Sequence, residues 1–590
     1  MEKRTKIICT IGPACWSEET IRGMVDRGMN VARFNYSHMK QEDALRTITI
    51  IKDLREERSI PIALMLDTKG PEVRLYGHEG PVELSAGDEI TVESYTGTDL
   101  ESVRLEDDNR FFTNLPSLGS LAQSGTRVLI MDGLLEGKVV RKENDTLYIR
   151  LINSAVLRPK AHFAIPNTEY PLDFLGEKDK EDILFAVEYE FEYIALSFVG
   201  SAADIFKVRN LIIDNYPQSR TKLIAKIENK KATEHIDEII SHSDGIMVAR
   251  GDLGVEMDMA EVPIMQKTII EKSFLRGKPV ITATQMLESM IDKPIPTRAE
   301  ASDVANACFD LTSAVMLSGE TAIGRFPELV VQTMADIVKT VEVNLDYDKI
   351  LLRTYDRRRS VQKDLTTIVS GNAVSIADES RARAIVAVTK TGYSARMLSK
   401  LRPKQPIWAF TYDIHTYHQM SINWGIHPFM IQEETSFESL VALIKEVCMK
   451  EGVADQGERI VIVGGLPLGR QGTTNMVRVE TVGKRPIKGK CLNDRSVSAP
   501  AVFITDREDF KSKDISGKVL FLHDFKKEYV GHFKLAAGIV MESDLYENDL
   551  SLLGVAFDIP IIINVSGAFE QFLEGSVVEI NGENNELIEI

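Results

Sequence analysis

The sequence predicts an α/β fold: a (β/α)8 TIM barrel with an inserted small β-barrel domain, then a C-terminal α/β domain and an extra C-terminal α/β domain. Three observations carry this reading. Apolar runs of strand length alternate with helix-length segments, and about eight such units span the roughly 250 residues of a (β/α)8 barrel once one interruption is removed. That interruption, from about Leu75 to Pro166, switches to short alternating segments punctuated by Gly, Asn and Asp, the pattern of small antiparallel strands. From about Leu345 strand–helix alternation starts again, and a Gly/Lys/Pro-rich linker, Gly483 to Lys490, separates a last unit of about 100 residues.

Composition narrows the class. A chain of 590 residues needs several cores. Its 44% apolar and 27% charged residues are those of a globular protein. Net charge is −18, which argues against nucleic acid or an anionic membrane surface as partner. Five cysteines (Cys9, Cys15, Cys308, Cys448, Cys491) show no paired spacing, as expected of a reducing, cytoplasmic setting. No apolar run approaches the ~18 residues of a membrane span, and no signal peptide is expected.

Taken in order, Lys6–Thr10 is a short apolar strand closed by Ile11-Gly12-Pro13. Glu18 to Gly28 reads as a helix with a glycine stop, and Asn30 to His38 as a strand ending in polar groups. Helix Gln41–Arg58 leads to strand Ile62–Leu66, which ends in Asp67-Thr68-Lys69-Gly70. After the insert, helix Lys178–Tyr189 precedes strand Tyr193–Phe198, and helix Ala202–Asn215 precedes Leu223–Glu228. Ile246–Ala249 is an apolar run ending in Arg250, Gly251 and Asp252. Helix Val262–Arg276, strand Pro279–Gln285 and strand Ala314–Glu320 complete the barrel. Apolar runs rather than alternating ones indicate strands buried on both faces. Many of these runs end in polar groups, which implies one site at the C-terminal strand ends. Lys226, Glu228 and Asp252 form a cation and two carboxylates there, and two neighbouring carboxylates call for a hard divalent ion such as Mg2+ (or Mn2+) between them.

In the third domain, strand Ala384–Val388 runs into Thr389-Lys390-Thr391-Gly392-Tyr393-Ser394 and then a helix from Ala395. A hydroxyl- and glycine-rich turn before a helix suits a phosphate. Strand Arg459–Gly465 is followed by a second loop, Pro467 to Asn475, with Arg470, Gly472 and Thr473; together the loops suggest a phosphorylated effector. The last unit carries strands Val519–Leu522, Gly538–Val540 and Pro560–Val565.

These strand ends closely resemble those of the pyruvate kinase family. The matching motifs are Asn30–His38, Asp67–Arg74, Lys226–Asn229, Ser243–Glu256, Thr284–Met290, Pro296–Asn306 and Ala314–Ala322, in the family's order over roughly residues 1–478. The resemblance implies a phosphotransferase that passes the phosphoryl group of phosphoenolpyruvate to ADP, giving ATP and pyruvate. Glu228 and Asp252 would hold Mg2+; Asn35, Ser37, Asp67 and Thr68 would hold K+, with Glu72 marking K+ dependence. Lys226 would neutralise the transferring phosphoryl group, and Arg33 would bind phosphate. Arg74, Gly251 and Asp252 would bind substrate, Thr284 would sit by the proton donor to the enolate, and Ser318 and Glu320 would lie in the proton route. Thr389, Lys390, Thr391, Gly392 and Ser394 would bind the allosteric effector, and a cytoplasmic homotetramer is the expected assembly. The implied domains are 1–71 and 167–344 (catalytic barrel), 72–166 (lid), 345–478 (effector domain) and 484–590.

The last domain is similar to the phosphohistidine domain of phosphoenolpyruvate-utilising enzymes, but Asp544–Asp549 stands where the histidine is expected, so no phosphate is expected there. Other departures are Met39 after His38, Gly200 after Val199, Met131-Asp132-Gly133, His162–Asn167 and Asp310–Ser313; most lie off the catalytic set. Two rival readings are a catalytically weakened paralogue serving as a regulatory or binding protein, and a different enolate-using barrel such as an aldolase or lyase. The intact Lys226, Glu228, Asp252 and Arg33 argue against the first. The monovalent-cation set argues against the second.

Overall fold

The computed structural model describes residues 3–37, 39–95, 97, 99–357, 365–434, 436–465, 474–483 and 487–589. The loop expected over Pro467–Asn475 falls almost wholly outside them, as does His38.

Eight parallel strands close into a barrel: β1 (Lys6–Ile11), β2 (Met29–Asn35), β3 (Ala63–Asp67), β4 (Tyr193–Leu196), β5 (Lys222–Ile227), β6 (Gly245–Ala249), β7 (Val280–Ala283) and β8 (Ala314–Leu317). Closure comes from β1, which pairs with β2 on one side and with β8 on the other, Lys6 facing Ala314 and Cys9 facing Leu317. Alternate residues face inward and outward. Ile8, Val31, Met65, Tyr193, Ile224, Met247, Ile281 and Met316 fill the interior. Ile7, Cys9, Ala32, Leu64, Ile194 and Val248 pack outward against the helices. Both faces are therefore dry, which is why these strands read as unbroken apolar runs. Ile422, from the chain beyond the barrel, joins the interior cluster. Tyr193 donates its hydroxyl to the Gln419 carbonyl at 2.5 Å.

Helix bounds follow the capping chemistry. Ser17 accepts the Thr20 N–H at the start of Glu18–Asp26, and Thr297 with Glu300 forms a capping box at Arg298–Phe309. The sequence reading missed one short helix of consequence, Arg250–Glu256, which follows β6 directly. Asp252 is thus in the first turn of a helix rather than on a strand end, where its charge complements the helix dipole.

The segment between β3 and β4 forms a seven-stranded sheet and a two-stranded ladder, Val82–Leu84 with Ala155–Leu157. Both contribute to one core, including Leu84, Ile90, Val92, Phe111, Val128, Leu147, Leu157 and Phe163.

The chain divides into two compact units: residues 1–375, 386–433 and 463–476, and residues 376–385, 434–462 and 477–590. A five-stranded sheet runs in the order Ile426–Met430, Ile407–Thr411, Ala384–Val388, Arg459–Gly465, Thr474–Thr481. The C-terminal region holds an eight-stranded sheet whose centre, Val497–Ile504, Val519–Leu522, Gly538–Met541 and Ile561–Ile563, is parallel. In it, Asp549 occupies the first turn of helix Glu547–Phe557.

Candidate active site

The C-terminal ends of β2, β3, β4 and β5 build a buried charge network. Lys226 is 9% exposed, yet its ammonium meets Asp67 Oδ1 and Glu228 Oε1, each at 2.9 Å, and the Ser197 hydroxyl at 2.8 Å. Arg33 reaches the other Asp67 oxygen through Nε and Nη2, both at 2.7 Å, and donates Nη1 to Thr10 Oγ1 at 2.8 Å. Asp67 is therefore the hub, fully buried and engaged on both oxygens. Burial works to raise its pKa, but the charges of Arg33 and Lys226 outweigh burial and hold it below the usual carboxylate range. Burial would likewise lower Lys226, but Asp67 and Glu228 reverse this and keep it protonated.

Glu228 behaves differently. Burial pushes its carboxyl upward, the Asp252 charge adds to this, and Lys226 opposes both. Its second oxygen accepts the Phe198 N–H at 2.6 Å. Buried Glu228 and half-buried Asp252 thus outnumber the single cation Lys226 beside them, the deficit a divalent ion would make good. Among the described residues no group of three or more His, Cys, Asp or Glu side chains could hold a metal. Glu228 and Asp252 would offer two carboxylates, with water and substrate completing the shell, the habit of Mg2+.

The residues assigned to K+ gather around Asp67. Asn35 Oδ1 accepts the Ser37 N–H at 3.2 Å, and Thr68 Oγ1 accepts the Ser197 N–H at 3.1 Å. Ser197 also donates its hydroxyl to the Thr68 carbonyl at 2.6 Å. This serine ties the Lys226 ammonium to the Asp67–Thr68 backbone, a role the sequence reading missed; its only signal was a hydroxyl at the end of β4. Glu72 and Arg74 pair with each other, Oε2 to Nη2 at 2.7 Å.

On the opposite arc, β7 and β8 present hydroxyls and a carboxyl. Thr284 and Gln285 both have left-handed backbones, φ 64° and 53°. Arg250 holds that turn open, donating Nη2 to both their carbonyls while Nη1 pairs with Asp303 at 2.6 Å. Left-handed conformations at non-glycine residues persist only where the surroundings enforce them. Thr284 Oγ1 accepts the Gly251 N–H at 2.9 Å, a donor that a substrate carboxylate would have to take over. Glu320 is 2% exposed and accepts the N–H groups of Leu287 and Ser318 at 3.1 and 2.7 Å; burial raises its pKa all the same. Ser318 Oγ is buried with no hydrogen-bond partner among the described residues. A free buried hydroxyl beside a carboxyl that favours its proton suits a water-linked proton route. Gly12 permits the chain after β1 to lie here, since a Cβ on it would meet the Ala322 carbonyl at 2.6 Å.

In the sheet beyond the barrel, Thr389 is buried, and the Lys390 ammonium lies 5.5 Å from the Tyr412 ring centroid. Thr391 accepts from Arg396 Nη1 at 3.4 Å, and Gly392 takes φ 74° before helix Tyr393–Ser399. Ser394 Oγ lies 2.5 Å from Thr474 Oγ1.

Known proteins match the chain along its length. Residues 2–331 match the family model "Pyruvate kinase, barrel domain", residues 368–480 "Pyruvate kinase, alpha/beta domain", and residues 515–585 "PEP-utilising enzyme, mobile domain". The pyruvate kinases of Sporosarcina psychrophila and Geobacillus stearothermophilus are each 35% identical, over 99% of this chain and 98% of theirs. That of Staphylococcus aureus (strain MRSA252) is 35% identical over 100% of this chain and 99% of its own. A solved pyruvate kinase structure from Cryptosporidium parvum aligns with TM-score 0.75 and 34% identity, over 81% of this chain and 96% of that one. With its own barrel, α/β and mobile domains all matched, the chain belongs to the pyruvate kinase family and is a phosphotransferase.

Proposed function

We propose that the chain transfers the phosphoryl group of phosphoenolpyruvate to ADP, forming ATP and pyruvate, with the assigned residues in the roles set out above. One observation carries the reading: Arg33, Asp67, Lys226 and Glu228 converge from the ends of three strands, β2, β3 and β5, into a single buried network. Phosphoryl transfer asks for charge neutralisation and positioning rather than covalent help. Lys226 neutralises the phosphoryl oxygens, oriented by Asp67 and Ser197. Arg33 binds phosphate from the opposite side of Asp67. Glu228 and Asp252 would hold Mg2+, or Mn2+, which would supply Lewis-acid stabilisation of negative charge on the substrate's oxygens. Asn35, Ser37, Asp67 and Thr68 hold K+. Ser318 and Glu320 pass the proton that the enolate carbon receives by Thr284.

The domain bounds proposed from the sequence are retained, with residues 72–166 as a lid. The turn Thr389–Ser394 binds a phosphorylated effector; Lys390 supplies its charge and the hydroxyls its hydrogen bonds. A homotetramer belongs to this reading, and Met259, Ile264 and Ile295, each at least 66% exposed, are apolar side chains that a partner copy would cover. No described helix is long and apolar enough to cross a membrane.

The test is pyruvate release from phosphoenolpyruvate with and without ADP, in Mg2+ plus K+ and then with Na+ in place of K+. Release that requires ADP and collapses in Na+ is the expected result. ADP-dependent release at equal rates in Na+ would remove the K+ assignment, and no release in any condition would remove the activity.

A further inference from the structure

The inserted domain meets the barrel on the helix that carries Asp252. Leu129 and Ala164 of the insert clasp Val255, all three at most 5% exposed. Beside this apolar seat lies a cavity of about 610 Å3, lined by His162, Asn167, Phe198, Asn229 and Glu256 among others. Phe198 donates its N–H to Glu228, and Asn229 is the residue after it, so the cavity borders the metal-binding carboxylate. His162 enters this cavity from the insert. Its Nδ1 lies 3.0 Å from Asp132 Oδ1, and its side chain is only 16% exposed. Asp132 sits in a strained turn: Met131, Asp132 and Gly133 have φ 54°, 57° and 88°. The turn is pinned by the Met131 N–H on the His162 carbonyl at 2.9 Å. Two successive non-glycine residues in the left-handed region mark a place where the fold enforces one geometry. Here that geometry aims the Asp132 carboxylate at His162.

Facing His162 from the barrel is Glu256, 8% exposed, whose carboxylate accepts the Asn167 N–H. Glu256 and His162 do not form an ion pair in this structure, but their charges act on each other across the cavity. Other charged or titratable side chains line this space: Glu169, Tyr170 and Asp173 in the loop after the insert, Asp204 and Lys207 on helix Ala202–Asn215, and Lys230, Lys231, Glu234 and His235 after β5; Asp252, Glu72 and Arg74 act on the His162, Asp132 and Glu256 cluster by charge.

We propose that His162 is a positioning residue for phosphoryl transfer: held by Asp132, its imidazolium closes onto Glu256 and seats the insert over the strand ends. The inference rests on the proposed reaction, and Glu256 is the group that makes it directional. The apolar seat at Val255 fixes where the insert touches; the His162–Glu256 attraction fixes how far it closes. Closure of a lid excludes water and completes a site, so its loss is read chiefly in KM.

The sign of the pH dependence follows from the two groups. Burial lowers the His162 pKa, but the hydrogen bond and charge of Asp132 outweigh burial and hold it above the ordinary imidazole value. The latch therefore weakens as pH rises through that raised value. Burial pushes Glu256 up to about 7, against the pull of His162 and the Asn167 N–H, so the latch also weakens as pH falls below about 7. Attraction is greatest where pH lies above the Glu256 value and below the raised His162 value.

The experiment is the pH profile of KM for phosphoenolpyruvate and ADP in wild type, His162→Gln, His162→Lys and Asp132→Asn. Wild type is expected to show KM rising on both sides of the window. His162→Gln should raise both KM values on the order of tenfold, with the alkaline limb gone and kcat at saturation little changed. His162→Lys should restore low KM and hold it at alkaline pH, because an ammonium keeps its charge there. Asp132→Asn should move the alkaline limb to lower pH. Hydrogen exchange of the barrel strands identical to wild type shows that each variant is folded. A wild-type alkaline limb retained in His162→Gln, or His162→Lys behaving like His162→Gln in a folded protein, would overturn the proposal. Wild-type turnover in the same assay tests the underlying reaction separately.

Discussion

Replacing Lys226 with methionine should lower kcat for ATP formation about 10³- to 10⁵-fold while sparing the proton exchange of the pyruvate methyl group. The first half follows from charge. Lys226 is the cation bonded to both Glu228 and Asp67, and the phosphoryl oxygens develop their charge where it is needed. A positioned cation in such a transfer is worth about 10³ to 10⁵ in rate. The second half follows from geometry. Lys226 Nζ is engaged by Asp67, Ser197 and Glu228, on the arc of β3, β4 and β5. Thr284, Ser318 and Glu320 belong to β7, β8 and the helix after it, with their own hydrogen bonds to Gly251, Leu287 and backbone groups. The two half-reactions therefore draw on different side chains. Removing one partner of a buried ion pair also destabilises, by about 3–5 kcal/mol. Arg33 still faces Asp67, and the Phe198 N–H still faces Glu228, which limits the damage. The decisive comparison is ATP formation against loss of isotope from labelled pyruvate in the same preparation. Proton exchange falling in step with ATP formation would show that Lys226 serves both steps, against this assignment.

Glu228→Gln is the second large effect. It should raise the divalent-ion concentration for half-maximal activity about 100-fold and lower kcat by about 10²- to 10³-fold. The wild-type carboxyl is buried and its pKa is pushed above the ordinary carboxylate range, by burial first and with Asp252 adding to the shift. A metal binds the ionised form, so wild-type Mn2+ affinity should climb as pH rises through that raised value and level off above it. Glutamine cannot ionise, so that climb should disappear from the variant. Direct titration with Mn2+, read by its magnetic resonance signal, checks both statements without turnover. Unchanged affinity in Glu228→Gln would place the metal elsewhere.

Much of this was legible in the chain itself because a parallel barrel writes a strong signature. Strands buried on both faces must be apolar throughout, so polar residues can enter only at their ends. That is why Lys226, Glu228, Asp67, Arg33 and Glu320 stood out before any contact was known. The apolar strand runs, and the length between them, likewise set the barrel and its insert. The family motifs, matched along the chain, gave the chemistry.

What the chain order could not show is which ends meet. Ser197 and Lys226 are 29 positions apart and Arg33 and Asp67 34 apart, yet all join one network. Arg250 reads as a charge after an apolar run, and only the fold turns it into the clamp on the left-handed Thr284 backbone. The Gly251 N–H likewise finds Thr284 only when β6 and β7 pair. His162 looked like a departure in a lid motif; packing of Leu129 and Ala164 on Val255 brings it opposite Glu256. Local sequence determined each strand, its ending and its chemistry, because burial and backbone propensity act over a few residues. Barrel closure and the seating of the insert decided the partners, because those contacts join residues tens to hundreds of positions apart and depend on register and hinge geometry that no local pattern encodes.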